Sequence, residues 1–484
     1  MFNAPTIAQL AACLAEKPTL SLRTLDEIAA SSNFSPNHYY ASFKQERFCF
    51  YQKLNLNISY NIPYTFRLIG QLDVSILERC FNEIIRRHEI LRTTLQEVND
   101  SLVQVVAPIA VINMSVVELQ TLSEKEQLLE VERLTAEQLQ IPVMLDRDAW
   151  LRVILLRLEE DSHIMLLCLH NLLVDDRSLE IFLQEMIVLY EAFLSCKESP
   201  LPELLSQYKD YALSQRQFLT SEVLQVRLNY WQQWLSKELS PLQLPGDRTL
   251  PTVQTFQAET FEYQLACKLS QQLKTLSQQT QVTLFTTLLA GFATLLYRYS
   301  GTEDIVLGVP ASGRNHGKLE PLLGDFSRIL TVRIDLGGKP SFCELLTRVR
   351  QEILETVSNQ DVPFEQLTKI LQLPFKRNKP FFNVIIDFLQ EQPSDPLKMA
   401  DLTVIPLPLK GTKMRVDLNL FIWEKSTADG MLIAGKWQYK KDLFEAKTIA
   451  HMAENFQLLL EKIVAAPEQS IANLPIFPTQ ADLP

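Results

Sequence analysis

Glycine is scarce, with 13 in 484 residues. No G-x-G-x-x-G or G-x-x-x-x-G-K stretch occurs, which excludes the usual phosphate-cradling loops. Cysteine is sparse and scattered: Cys13, Cys49, Cys80, Cys168, Cys196, Cys267 and Cys343 show no C-x-x-C or Cys/His ligand spacing, and their number is odd. Buried free thiols in a reducing cytoplasm are the simplest reading, without a metal site. Positive charge is also in deficit. The formal net charge of -11 argues against a nucleic-acid partner, because neutralising phosphates needs clustered Lys and Arg. No apolar run reaches membrane-spanning length. The most apolar stretch, Val282 to Leu296, is too short for roughly 30 Å of hydrocarbon. It reads as a buried helix closed by Ser300-Gly301. No charged segment followed by an apolar run opens the chain, so neither a secretion signal nor a membrane partner is expected.

What is present is a hydrophobic fraction of 46% over 484 residues, enough for a large core split into two lobes. Thr6 to Leu14 has a short helical pattern, followed by an irregular stretch to Pro36. From Tyr60 onward strands and helices alternate. Thr65 to Gly70 reads as extended, and Asp73 then caps a helix with Val74, Leu77, Phe81, Ile84 and Ile85 on one face. Leu102 to Ala107 and Leu151 to Leu158 read as strands, and Ser162 to His170 is apolar enough for a sheet interior. A helix over Leu179 to Leu194 follows. After the Pro- and Leu-rich stretch Leu239 to Pro251 a second series begins. It has helices within Ser270 to Tyr299, strands at Ile305 to Val309, near Ile329 to Ile334 and at Phe382 to Phe388, and a last helix over Ala446 to Val464.

Several separated motifs share one order with a known family. They are SFKQERFCF from Ser42, YNIP from Tyr60, RRHEILRTTL from Arg86, HNLLVDD from His170, YKDYA from Tyr208, VPASGRN from Val309, LLGDFSRIL from Leu322, NQDVPFE from Asn359, and Asp442 to Phe444. Over roughly residues 39 to 475 the chain resembles the condensation domains of nonribosomal peptide synthetases. The resemblance implies an α/β sandwich of two chloramphenicol-acetyltransferase-like lobes, a V-shaped pseudodimer with a central tunnel. It divides the chain into a remnant of a carrier protein's last helix (1–18), a linker (19–38), lobes at 39–238 and 239–475, and an interdomain linker (476–484).

In this family an acceptor amine attacks a donor thioester. Both are tethered to phosphopantetheine on upstream and downstream carrier-protein domains, and the synthetase domain binds no cofactor of its own. The family's motif is His-His-x-x-x-Asp-Gly. Here His170 stands for the first His, Asn171 for the second, Asp175 for the Asp and Asp176 for the Gly. Arg328, after Ser327, stands where the family has Asn, and Asn359 replaces the His of His-Gln-Asp. A carboxamide hydrogen-bonds but is no base.

These motif positions are the candidate catalytic residues, and Asp176, Ser327, Arg328 and Asn359 the candidate tunnel residues. His170 is expected to shape the loop, and Asp175 to pair with Arg92 or Arg333. Arg328 and Asp176 are expected to face each other and narrow the channel, although Asp176 also suits a helix start, where a carboxylate gains about 0.3–1 kcal/mol. Asn171 has its own bland alternative, a bond to neighbouring backbone. His88 is read as a packing or capping residue, and His163 points to the face opposite His170.

Ordinary amide formation is therefore expected to be impaired or altered, with the domain serving as a docking platform for carriers or for a recruited tailoring enzyme. The alternative is an active acyltransferase in which Asn171 orients the nucleophile of an amide or ester. A different reaction on a carrier-bound chain, such as dehydration, is a narrower option. Heterocyclising and epimerising relatives do not fit, since the first place an Asp at residue 170 and the second need a base near residue 171. The resemblance further implies a monomeric, cytoplasmic unit of a larger assembly line.

Overall fold

The structure is a computed structural model. It describes residues 37–53, 60–99, 101–218, 222–236, 242–248, 257–314, 317–360, 362, 382–389, 396–407, 414, 416–428 and 430–475. The expected carrier remnant, most of the first linker and the terminal linker lie outside the described residues.

In chain order the first half carries β1 (His38–Tyr40), α1 (Phe43–Lys53), β2 (Asn61–Ile69), α2 (Val74–Arg87), β3 (Thr93–Val98), β4 (Ser101–Val106), β5 (Ser115–Glu118) and α3 (Glu124–Gln140). It continues through β6 (Leu151–Arg157), β7 (Ser162–His170), α4 (Asp176–Leu194), α5 (Tyr208–Phe218) and α6 (Glu222–Leu235). The second half carries β8 (Ala258–Gln264), α7 (Cys267–Gln279), α8 (Leu284–Ser300), β9 (Asp304–Ala311), β10 (Arg328–Asp335) and α9 (Phe342–Ser358). It ends with β11 (Val384–Leu389), β12 (Leu397–Met399), β13 (Leu402–Leu407), β14 (Leu418–Thr427), β15 (Gly430–Lys440) and α10 (Ala446–Ala465).

Two six-stranded sheets result, ordered β12-β13-β2-β7-β6-β5 and β10-β9-β11-β14-β15-β8, with a small β1-β4-β3 sheet beside the first. Each large sheet has its own hydrophobic core. One gathers Phe81, Trp150, Leu167, Phe182 and Tyr190, and the other Phe292, Val332, Leu420, Trp437 and Phe456. Burying each such side chain contributes roughly 1.5–3 kcal/mol. All nine residues of β7 are buried, as its apolar run suggests. Asp73 caps α2 by accepting from the Ser75 and Ile76 amides, and α8 ends on Gly301 at φ 70°.

β2 begins four residues before the extended stretch read from Thr65. Pro63 obscures this, because Pro interrupts a ladder wherever its N–H is needed. On one side β2 pairs with β13 only from Thr65 to Ile69, so Pro63 sits beyond that ladder.

The expected boundary at residue 239 is not a clean partition. β12 and β13, from the second half, extend the first sheet at β2 and so cover backbone groups that an edge strand leaves unpaired. α6, from the first half, packs Trp231 and Trp234 with Val306 and Val362 of the second.

Candidate functional site

β7 delivers His170 to the junction between the two sheets. A single 3-10 turn, Asn171–Leu173, then leads into α4. Asp175 caps that helix through the Ser178 amide at 2.8 Å. His170 is 3% exposed and lies among the rings of Phe48, Tyr60 and Trp150. Its Nδ1 accepts from the Leu172 amide at 3.2 Å, which fixes the neutral ring with its proton on Nε2. Burial, with the nearby Arg152 charge adding to it, pushes the His170 pKa down to about 3. His170 is thus a neutral brace for the turn.

Asp175 pairs with neither Arg92 nor Arg333. Its partner is Arg314, whose Nη2 lies 2.8 Å from Oδ1 and whose Nε donates to Oδ2 at 3.2 Å. The same guanidinium donates to Ser178 Oγ and to the Leu322 carbonyl, and lies 4.3 Å from the Phe326 ring centre. Arg92 faces Glu89 instead, and Arg333 forks onto Asp304 at the far end of β9. Arg314 belongs to the VPASGRN segment, so its signal was present in the motif order.

Asn171 is half-buried. Its backbone is held, the amide donating to the Tyr60 carbonyl. No hydrogen bond is made by its carboxamide side chain among the described residues, so the expected alternative, a bond to neighbouring backbone, is not what holds it. Asp176 opens α4 and is exposed to water. Burial raises its pKa, and the negative charges of Asp175, Glu180 and Asp325 add to this.

The expected Arg328–Asp176 closure is corrected: Arg328 donates to the Gln360 carbonyl at 2.8 Å, and the charges acting on Asp176 are carboxylates. Backbone geometry decides this. Arg328 opens β10 opposite Ala311 and swings toward the end of α9. Ser327 is tied down by Lys44, whose Nζ donates to its carbonyl at 2.7 Å and its hydroxyl at 3.0 Å. Lys44 also forms a 2.5 Å ion pair with buried Asp325. Asn359 ends α9 and is sunk under α6, its carbonyl accepting from Trp231 Nε1 at 3.1 Å. It is a seam residue. His88 is buried against Glu185 at 2.9 Å, in the packing role read from its sequence.

Asp387 on β11 lies in none of the motifs and was not among the expected site residues. Ile386 and Phe388 point into the second core, so Asp387 points the other way, toward the junction. Burial and the Asp176 charge push its pKa up to about 7. Tyr64 on β2 feels the same carboxylates, its pKa raised by burial and by Asp176, Asp175 and Asp325. No single described helix is long and apolar enough to cross a membrane.

Comparison with known proteins places this geometry. The condensation-domain family matches residues 35–482. A linear gramicidin synthase of Brevibacillus parabrevis is 39% identical over 440 residues, 90% of this chain and 9% of that protein. Tyrocidine synthase 3 of the same organism is 31% identical over 480 residues, 99% of this chain and 7% of its own length. The chain therefore spans less than a tenth of these relatives. Among solved structures, the X-domain in its complex with OxyB from teicoplanin biosynthesis superimposes with a TM-score of 0.83 at 25% identity, covering 93% of this chain and 98% of that one. With the motif order, the family match and the shared fold in agreement, the chain belongs to the condensation-domain family of nonribosomal peptide synthetases.

Proposed function

We propose that this domain accepts acyl and aminoacyl thioesters carried on the phosphopantetheine of upstream and downstream carrier domains, and joins them by acyl transfer altered from the family's usual route. Residues 39–238 and 239–475, with β12 and β13 returning to the first sheet, would form its two lobes, working in the cytoplasm as one unit of an assembly line without a cofactor of its own. The observation that carries the reading is the Asn171 carboxamide. It is half-buried and, among the described residues, unpaired, at the start of the His170-braced turn that leads to the water-accessible Asp176. Holding two tethered reactants in contact supplies most of the acceleration in such reactions. A carboxamide can orient an amine even though it cannot take its proton. Asn171, His170 and Asp175 are the assigned catalytic-loop residues, and Asp176 lines the cleft.

A second reading, a docking platform for carriers or a tailoring enzyme, is favoured by the likeness to the X-domain found in complex with OxyB. Intact-mass detection separates the two. A donor carrier loaded with an acyl group and an acceptor carrier loaded with an amino acid should give a new amide or ester on the acceptor. Bound carriers without product would mean a platform.

A further inference from the structure

The second sheet has two faces, and only one is packed by α7, α8, α9 and α10. On the other, side chains at one level form a row. β9 and β11 run parallel with Gly308 beside Ile385, so two residues on, Asp387 stands level with Pro310. Pro310 pairs with Ile329 on β10, Asp387 with Phe421 on β14, and Phe421 with Lys436 on β15. The row thus reads Ile329, Pro310, Asp387, Phe421, Lys436. Two side-chain steps back along β9, Val306 is covered by Trp231 and Trp234 of α6. At the level of Asp387 that cover ends, since Ile329 is 51% exposed. This is also where β9 hands over to Arg314, the residue clamped to Asp175. Through that pair the chain leaving β9 is fastened to the motif loop.

Asp387 itself makes no hydrogen bond or ion pair among the described residues. The charge that reaches it from another element is that of Asp176 on α4, which also acts on Tyr64 of β2, and Lys436 on β15 shares its row. Arg328 is turned to Gln360, and the Lys436 ammonium lies over the Phe421 ring, 5.0 Å from its centre.

From this placement we infer that Asp387 is the proton acceptor of the cleft, supplied by the opposite lobe in place of the base that residue 171 lacks. This rests on the acyl-transfer reading above. The amine nitrogen of the acceptor forms a C–N bond at the thioester carbonyl carbon, and one N–H proton passes to the Asp387 carboxylate. The C–S bond breaks, and the proton returns to the departing thiolate, leaving an amide and a free thiol. Asp176, facing Asp387, keeps the carboxyl basic enough to accept that proton. A carboxylate of ordinary acidity is a poor acceptor at neutral pH, and the pushed-up pKa of Asp387 suits it.

The test is the single-turnover rate of carrier-to-carrier transfer between pH 5.5 and 8.5 for the unmodified protein, Asp387→Asn, Asp387→Glu and Asp176→Asn, with carrier binding followed in parallel. The unmodified rate should rise through an inflection near pH 7. Asp387→Asn should lose about 100-fold, the usual contribution of one general base, with Asp387→Glu recovering part of it. Asp176→Asn should move the inflection to lower pH. Transfer by Asp387→Asn at the unmodified rate would overturn the role of Asp387 while leaving acyl transfer standing. Absence of transfer by the unmodified protein, with carriers bound, would overturn both.

Discussion

Arg314 and Asp175 are 139 positions apart in the chain and form a two-point pair, 2.8 Å and 3.2 Å, with almost no solvent contact. This pair fastens the motif loop of one sheet to the segment that links β9 and β10 of the other. Buried pairs are costly to break from one side, because the survivor keeps its desolvation cost without its partner. Asp175→Ala or Arg314→Ala should each lower stability by about 3–5 kcal/mol, read as a drop in thermal midpoint. The double substitution should cost less than the sum of the two.

His170 gives the fold a pH dependence of definite sign. Its pKa is depressed to about 3 from an ordinary 6.5, so the unfolded chain takes up the proton before the folded one does. The stability tied to the neutral ring is complete above about pH 6.5 and is lost progressively as pH falls toward 3. On the order of 3 kcal/mol should be gone by pH 4. Thermal midpoints measured from pH 7 to pH 4 should fall steeply in the unmodified protein and less steeply in His170→Gln, which starts lower.

Asp387 acts in the opposite range. Its pKa is raised, so the folded state holds the proton more tightly than the unfolded chain. The cost of ionising it is absent near pH 4, grows as pH rises, and is complete above about pH 7. Asp387→Asn should match the unmodified thermal midpoint at pH 4 and exceed it at pH 8 by at least about 2–4 °C, the shift expected per kcal/mol in larger domains. A carboxyl that is useful in the cleft is thus expected to weaken the fold.

Trp231 stitches α6 to the end of α9 through its bond to the Asn359 carbonyl while packing near Val306. Trp231→Ala should cost about 3–5 kcal/mol and uncover the sheet face at Val306, two side-chain steps behind the row of Asp387. Chemical denaturation of the variant would measure the loss.

Much of the fold can be read from residue patterns. β7, α4, α8 and the caps at Asp73 and Gly301 follow from apolar period, helix-start chemistry and a left-handed stop. β12 and β13 do not, because their pairing with β2 is made across more than three hundred residues and leaves no local mark. The site is legible in part. The motif order locates His170, Asn171 and Asp175, and the missing base is plain at residue 171. Arg314 lies in a readable motif but its pairing with Asp175 is not legible, and Asp387 lies in no motif, because both roles depend on what is placed opposite them across the two sheets. Arg328 misleads for the same reason: proximity to the cleft was readable, the direction of its side chain was not.

A double-substitution cycle between residues 171 and 387, read as carrier-to-carrier transfer by intact mass, tests most directly whether the proton acceptor has moved from one lobe to the other. Asp387→Asn alone is expected to lose about 100-fold. Adding Asn171→His to that variant should restore at least a tenth of the lost rate, since an imidazole there supplies a base again. If Asp387→Asn leaves the rate unchanged, or if Asn171→His changes the rate by the same factor with Asp387 as without it, the relocation is contradicted.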